Sequence, residues 1–468
     1  MHTALLAALI LLLPAAASAD PTVQEVLLRA KPAVALVVSE VGSEVTLPCG
    51  GASLAVTPPP FRETGTGWFI APSGWVITNG HVVSPAHRPS REVTDEQIQA
   101  AVRSGCLPRL LEKQGVRPGQ RPDLEEQLVR QALAAAAPAA KVKLEPSISV
   151  ILSNGFRLAA TVAKYSPPVA GEEMSGQDLA LLKLEAADMP SLALADSAAS
   201  KIGDRIHILG FPGVVLSHEL LNASAKAEAS ITSGAISGFK QDRAGQAVIQ
   251  TDAPAAWGNS GGPAITDPGG VVGVLTFVTL DRGSGGIVQG FNFVIPSQAV
   301  REFLKGTPVA LGERSRFNQE WYAALADHFS GSYASAAKRF AEANRLLPEM
   351  PDVKRLTAAN AEFIKNPPPR PFPWRPVASV LVVVALAGLG WLWFASVKRT
   401  RFLIRPAEVA RLLDKEDAPA IVDARDEDTY AKSPVRIPSA MHVPPAKIQD
   451  GLQHLGIPKN RTVIAYCS

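Results

Sequence analysis

The sequence lacks a long basic run: 46 lysines and arginines stand against 43 aspartates and glutamates, a net charge of +3. That absence excludes the electrostatic footprint of a nucleic-acid binder and a polybasic membrane patch. It also lacks metal-ligand spacing such as HExxH. His87, His207, His218 and His328 therefore read as surface or packing residues, and neither a metal nor another cofactor is expected. Cysteine is scarce, with three in the chain, Cys49, Cys106 and Cys467. Charge is missing altogether from one long apolar stretch, residues 377–397.

That stretch, "VASVLVVVALAGLGWLWFASV", is long enough at ~1.5 Å per residue to cross a hydrocarbon core of ~30 Å, with Trp391 and Trp393 placed as interfacial anchors. A second apolar run opens the chain. "ALLAALILLL" followed by Ala17-Ser18-Ala19 reads as a secretory signal peptide over residues 1–19. No lysine or arginine precedes it, so an uncleaved anchor stays open. With a cleaved signal, the part before residue 377 faces the periplasm or exterior and the part after 397 the cytoplasm, in a single-pass protein that contacts the lipid bilayer. Lys398, Arg399, Arg401 and Arg405 agree with that orientation; Arg370 and Arg375 oppose it. Cys49 and Cys106 then share an oxidising compartment and form a candidate disulfide, while Cys467 faces a reducing one.

At 468 residues the chain has room for about three domains. From residue 23 to 305 it is built of short β-rich runs broken by Gly, Pro, Asn and Ser, the pattern of an all-β sandwich or barrel. A polar, then alanine-rich stretch over about 85–144 breaks that rhythm and reads as a helical insertion. Residues 314–365 are helical again. Ala336, Phe340, Ala343 and Pro348 follow the second-helix spacing of a tetratricopeptide repeat, although Asp327 stands where a first-helix aromatic is usual. A lone repeat cannot bury its own face. It would pack on the β domain, on the helix around Leu356 to Ile364, or on a protein partner; a stalk with no binding role is an equal alternative. Residues 366–376, "NPPPRPFPWRP", form a proline-dense spacer. Residues 398–468 alternate helical and strand-like strings, an α/β pattern.

Within the β region one serine lies between an asparagine and two glycines, in "GNSGGP" at 258–263. A serine hydroxyl is a weak nucleophile at neutral pH; hydrolysis needs an imidazole to take its proton and a carboxylate to orient that imidazole. His81 follows the β-run "GWVITNG" and is placed to emerge at a strand end. Asp178 opens the apolar run "DLALLKL", which suits a buried position beside the core. Alone, each residue has an ordinary structural explanation.

His81, Asp178 and Ser260, in that order and within "TNGHVV", "DLALLKL" and "GNSGGP", resemble the trypsin-like serine proteases, and among them the HtrA (Deg) branch. "GTGWFI", "TSGAISG", "QTDA" and "GFNFVIPS" add to the resemblance, which covers about residues 23–305. It implies two six-stranded β-barrels with a cleft between them, His81 as general base and acid, Asp178 as the orienting carboxylate and Ser260 as nucleophile. The oxyanion hole would be the amides of Gly258 and Ser260, acting on protein or peptide substrates. Gly80 stands where the family commonly has Ala, and Trp257 where it has Pro. No acidic residue occupies 253–257, so cleavage is expected after small or aliphatic residues. A catalytically silent binding scaffold is the alternative. No PDZ-like segment follows the protease region.

"AIVDARDEDTYAKSPVRIPSAMHVP" followed by "TVIAYCS" resembles the first half of a rhodanese-like domain, carried by Asp423, Arg425 and Cys467. In that family the cysteine opens a loop whose amides lower the thiol pKa. Only Ser468 follows it here, so this segment is expected to be incomplete, and sulfurtransferase activity would depend on residues beyond it.

Overall fold

The computed structural model describes residues 21–168, 176–280, 287–368, 374–400, 402–448 and 455–467; the expected signal peptide lies outside them. The chain divides into two units, Met1–Pro368 and Pro369–Ser468.

The first unit holds two closed six-stranded β-barrels. Strands β1 (Val34–Cys49), β3 (Phe61–Ala71), β4 (Trp75–Thr78), β7 (Leu179–Leu184), β6 (Arg157–Ser166) and β5 (Lys141–Ile151) pair in that order, and β5 closes the ring by pairing with β1 from Leu36↔Ile151 to Thr46↔Lys141. A short β2 (Ala52–Val56) pairs with the far end of β1. The second barrel runs β10 (Ala247–Thr251), β13 (Ile287–Pro296), β12 (Val271–Leu280), β11 (Pro263–Thr266), β8 (Arg205–Gly210) and β9 (Ser230–Gln241), which returns to β10.

Why these strands read as near-continuous apolar runs is visible in their two faces. Val34, Trp68, Ile77, Leu179 and Leu181 pack into one cluster with Leu209, Ile265 and Val274 of the second barrel. Their sequence neighbours Ala35, Phe69, Val76, Ala180 and Leu182 pack into another with helical residues Phe317, Trp321, Phe340 and Val353. Side chains alternate across a strand, so burial on both sides removes the polar half of the pattern.

The helical residues belong to α7 (Arg316–Phe329), α8 (Tyr333–Leu346) and α9 (Pro351–Lys365). The third is the helix expected around Leu356 to Ile364, and the apolar face of the set is covered by the first barrel. Trp321 and Phe340 are fully buried in that contact, and the Trp321 indole N–H donates to Leu28 O at 2.8 Å. Ion pairs add to the attachment: Lys31 Nζ lies 3.0 Å from Asp352, and Arg355 2.8 Å from Glu228. Asp327 accepts from Ser335 Oγ and Arg339 Nε, which gives the polar side chain at that position its partners.

Between β4 and β5 the chain forms α2 (Gly80–His87), α3 (Arg91–Ala101), a π turn (Val102–Cys106), α4 (Leu107–Lys113) and α5 (Pro122–Ala136). β5 begins at Lys141, a few residues before the expected end of the insertion. A disulfide joins Cys49, at the end of β1, to Cys106 in the π turn, with Cα atoms 5.7 Å apart. Both sulfurs lie in a cluster with Val45, Leu47, Ile98, Val102 and Val129, which ties the insertion to the barrel.

In the second unit, α10 (Trp374–Thr400) contains the span Val377–Lys398, with mean hydropathy 2.3 and no buried residue. Among the described residues it is the one helix long and apolar enough to cross a membrane. Beyond it, β14 (Ala420–Asp423) pairs in parallel with β15 (Met441–His442) and β16 (Val463–Tyr466). Asp423 is fully buried; Arg425 Nε donates to it at 2.8 Å and the Tyr466 hydroxyl at 2.6 Å. These hydrogen bonds, the arginine's foremost, hold the Asp423 carboxyl far below the usual carboxylate range. Cys467 is exposed and unpaired.

Candidate active site

His81 sits on the first turn of α2, three residues beyond the end of β4, and not at the strand end that "NGHVV" suggests. Val82 and Val83 are fully buried, so the apolar pair that mimics a strand is the inner face of a helix. Gly80 has a local reason: a Cβ there would lie 2.4 Å from Ser166 O, a backbone atom that cannot swing away.

Asp178 meets His81 from the start of β7. Its φ of 51° is a left-handed conformation, tolerated by Asp more readily than by most residues. Two hydrogen bonds hold it there: its N–H donates to Pro167 O at 2.9 Å, and the Asn79 side-chain amide donates to its carbonyl at 2.8 Å. The carboxylate accepts from the His81 backbone N–H at 2.9 Å, from His81 Nδ1 at 2.8 Å and from Thr276 Oγ1 at 2.6 Å. An ionised carboxylate only accepts, so the proton of a neutral His81 lies on Nδ1 and Nε2 keeps a free lone pair. Burial of the imidazole opposes its protonation. The charge and hydrogen bond of Asp178 and the charge of Glu63 outweigh that and raise the His81 pKa above its ordinary value. The Glu63 carboxyl is itself pushed up by burial, against the opposing pull of His81.

Ser260 shares with His81 and Asp178 a cleft of about 620 Å³, also lined by Trp257, Asp242 and Arg243. Its Oγ donates to Thr276 O at 3.1 Å, and among the described residues no hydrogen bond joins it to His81. The turn before it is closed by Asn259 N–H donating to Ala256 O at 3.1 Å. Gly258 takes φ +96°, and a Cβ there would lie 2.3 Å from Phe211 O, so the position requires glycine twice over. Thr66 of "GTGWFI" fastens this turn to the first barrel. Its Oγ1 donates to Gly258 O at 2.7 Å and accepts from Phe211 N–H at 3.0 Å, while its N–H donates to Ser260 O at 2.8 Å. Asn259, Gly261 and Gly262 N–H groups all donate to backbone carbonyls. Among the described residues, the amides of Gly258 and Ser260 donate to none.

Trp257 is 60% exposed at the cleft, and its carbonyl accepts from Gly213 N–H at 2.6 Å. Cys467 belongs to the other unit. Thr66 lies within "GTGWFI", where the motif gives it no role of its own, and two participants carry no motif at all: Glu63 and Thr276. The last had one available signal, a lone polar residue in the apolar run "VVGVLTFV". Among the described residues no group of His, Cys, Asp and Glu could hold a metal ion.

Residues 126–274 match the trypsin-like peptidase domain family, and residues 405–468 the rhodanese-like domain family. The first match includes Asp178 and Ser260 and begins after His81. The "Probable periplasmic serine endoprotease DegP-like" of Chlamydia pneumoniae is 33% identical over 154 residues, 32% of this chain and 27% of that protein. "Serine protease HTRA4" of Homo sapiens is 31% identical over 167 residues, 35% of this chain and 30% of the other. For "Serine protease Do-like HtrA" of Lactococcus lactis the identity is 32% over 158 residues, 33% of this chain and 36% of that protein. The chain thus spans about a third of the length of these curated relatives. Among solved structures, "HtrA-type protease AlgW with tripeptide" is similar at 20% identity and a TM-score of 0.34, over 60% of this chain and 62% of that one. The chain carries a trypsin-like peptidase domain homologous to the HtrA/DegP serine proteases, together with a rhodanese-like domain.

Proposed function

We propose that the chain is an exported, membrane-anchored serine endopeptidase acting on protein substrates outside the cytoplasm, in the manner of protein quality control. The observation that carries this is a pairing of features in one cleft: an imidazole whose Nδ1 is held by Asp178, and a serine whose own amide and that of Gly258 meet no acceptor among the described residues. In the proposed reaction Ser260 Oγ attacks the scissile carbonyl, His81 Nε2 takes its proton and returns it to the leaving amine, and Asp178 stabilises the imidazolium. The Gly258 and Ser260 amides receive the oxyanion, each worth about 3 kcal/mol in the transition state. For the hydroxyl to reach His81 it must leave Thr276 O, a rotation about one side-chain bond that substrate binding would favour.

Relatives named as periplasmic or HtrA-type serine proteases support this reading, as does the apolar helix at Val377–Lys398. Residues 1–19 would be the leader and 366–376 the spacer that sets the peptidase unit off the bilayer. The absence of an acidic residue from 253–257 favours cleavage after small or aliphatic side chains. Profiling the detergent-solubilised full chain on a peptide library tests this: cuts after Ala or Val that vanish in His81→Ala support it, and cuts confined to Lys and Arg refute the pocket assignment. A second reading, a binding scaffold without catalysis, is favoured by one observation, the Ser260 hydroxyl turned onto Thr276 O. Binding of a peptide substrate without turnover would select it.

A further inference from the structure

A second serine, imidazole and carboxylate meet on the second barrel, away from the cleft. His207 on β8 lies directly opposite Ser233 on β9 and Ile265 on β11. Its Nδ1 is 2.7 Å from Ser233 Oγ, and its Nε2 is 2.8 Å from Asp267 Oδ1, in the turn between β11 and β12. The ring is 1% exposed, whereas Ser233 is exposed and the Asp267 side chain is 42% exposed. None of the three lines the cleft of His81 and Ser260.

The direction of these hydrogen bonds follows from what each group can offer. A neutral imidazole has one donor and one acceptor, and an ionised carboxylate only accepts. Nε2 therefore carries the proton and donates to Asp267, Nδ1 is left with a lone pair, and the Ser233 hydroxyl donates into it. The polarity is that of a serine activated by a carboxylate-backed histidine, with the two ring nitrogens interchanged. A buried histidine needs partners for both nitrogens, and this arrangement supplies them. Packing alone does not require the outer partner to be a hydroxyl open to solvent.

We propose that Ser233 is a second activated serine, a site of O-acylation by small activated acyl donors such as aryl esters and thioesters. Ser233 Oγ forms a bond to the acyl carbon while its proton passes to His207 Nδ1. The bond from that carbon to the leaving aryloxide or thiolate breaks, the leaving group keeps the electron pair, and it takes up the proton from His207. The products are an O-acyl-Ser233 ester and a free phenol or thiol. No oxidant, metal or further reactant is needed, and the step does not depend on peptidase activity.

The test uses the full chain carrying Ser260→Ala, so that the cleft serine cannot react, incubated with p-nitrophenyl acetate and mapped by peptide mass spectrometry. The expected result is acetyl on Ser233, formed about 100-fold more slowly in His207→Gln, which removes the base. Because His207 is buried, Asp267→Asn provides a second arm at an exposed position, expected to slow acetylation severalfold with an unchanged circular dichroism spectrum. Ser233 left unmodified while surface lysines are acetylated would overturn the proposal. So would acetylation at an equal rate in Asp267→Asn.

Discussion

The two serine–histidine–carboxylate sets divide the requirements of a hydrolytic site between them. At Ser233 the hydrogen bonds from hydroxyl to ring to carboxylate are complete, but the serine belongs to a paired strand on the face of one barrel. At Ser260 the hydroxyl donates to Thr276 O, yet the residue lies in a glycine turn whose Gly258 and Ser260 amides meet no acceptor among the described residues, and it opens into a cleft. Activation of a nucleophile and stabilisation of the charge it creates are thus separable in structure. The cleft set is the one proposed to bind and cut a chain.

Several substitutions would break or sharpen this contrast. Asp178→Asn leaves the shape of the cleft but removes the acceptor that fixes the His81 tautomer; peptide hydrolysis should fall by about 10⁴-fold in kcat, measured on a fluorogenic peptide. Thr66→Val keeps the volume but frees the turn at Gly258 and Ser260 from β3. Loss of one oriented oxyanion donor predicts a fall of about 10²-fold in kcat with a smaller change in KM. Replacing Cys49 and Cys106 by serine opens a loop of 57 residues. That should cost about 4 kcal/mol by the chain-entropy account, read as a lower denaturant midpoint, with peptidase activity retained at moderate temperature.

The smallest effect concerns pH. A raised His81 pKa means that the imidazole stays protonated to higher pH than an ordinary histidine, so activity, which needs the neutral ring, rises only as the pH climbs through that value. Glu63→Gln removes one of the charges that raise it. The acidic limb of kcat/KM should move to lower pH, and a shift to higher pH would contradict the assignment of His81 as the base.

What was readable in the sequence follows from how far each role depends on partners distant in the chain. The strings around His81, Asp178 and Ser260 are local, and they stand where the cleft forms. The short strands pointed to an all-β sandwich or barrel, and two closed six-stranded barrels followed from the family resemblance alone. Thr276 was not legible, because its value lies in touching Asp178, 98 residues away and held by the other barrel. Thr66 works across 192 residues, holding a turn that belongs to the other barrel. His81 was expected at a strand end because two buried valines look alike on a strand and on a short helix. The helices of 314–365 showed an apolar face by their periodicity; which surface covers it depended on the outer face of the first barrel, which no helical pattern encodes.

Ser260, and not Ser233, is the serine proposed to cut peptide bonds. The most direct test compares the full chain with its Ser260→Ala variant on an unfolded protein substrate, with new amino termini quantified by mass spectrometry. Cleavage by the first and a loss of about 10⁶-fold in the second are expected. Equal cleavage by both, or none by the properly folded parent chain at any pH, would contradict that proposal.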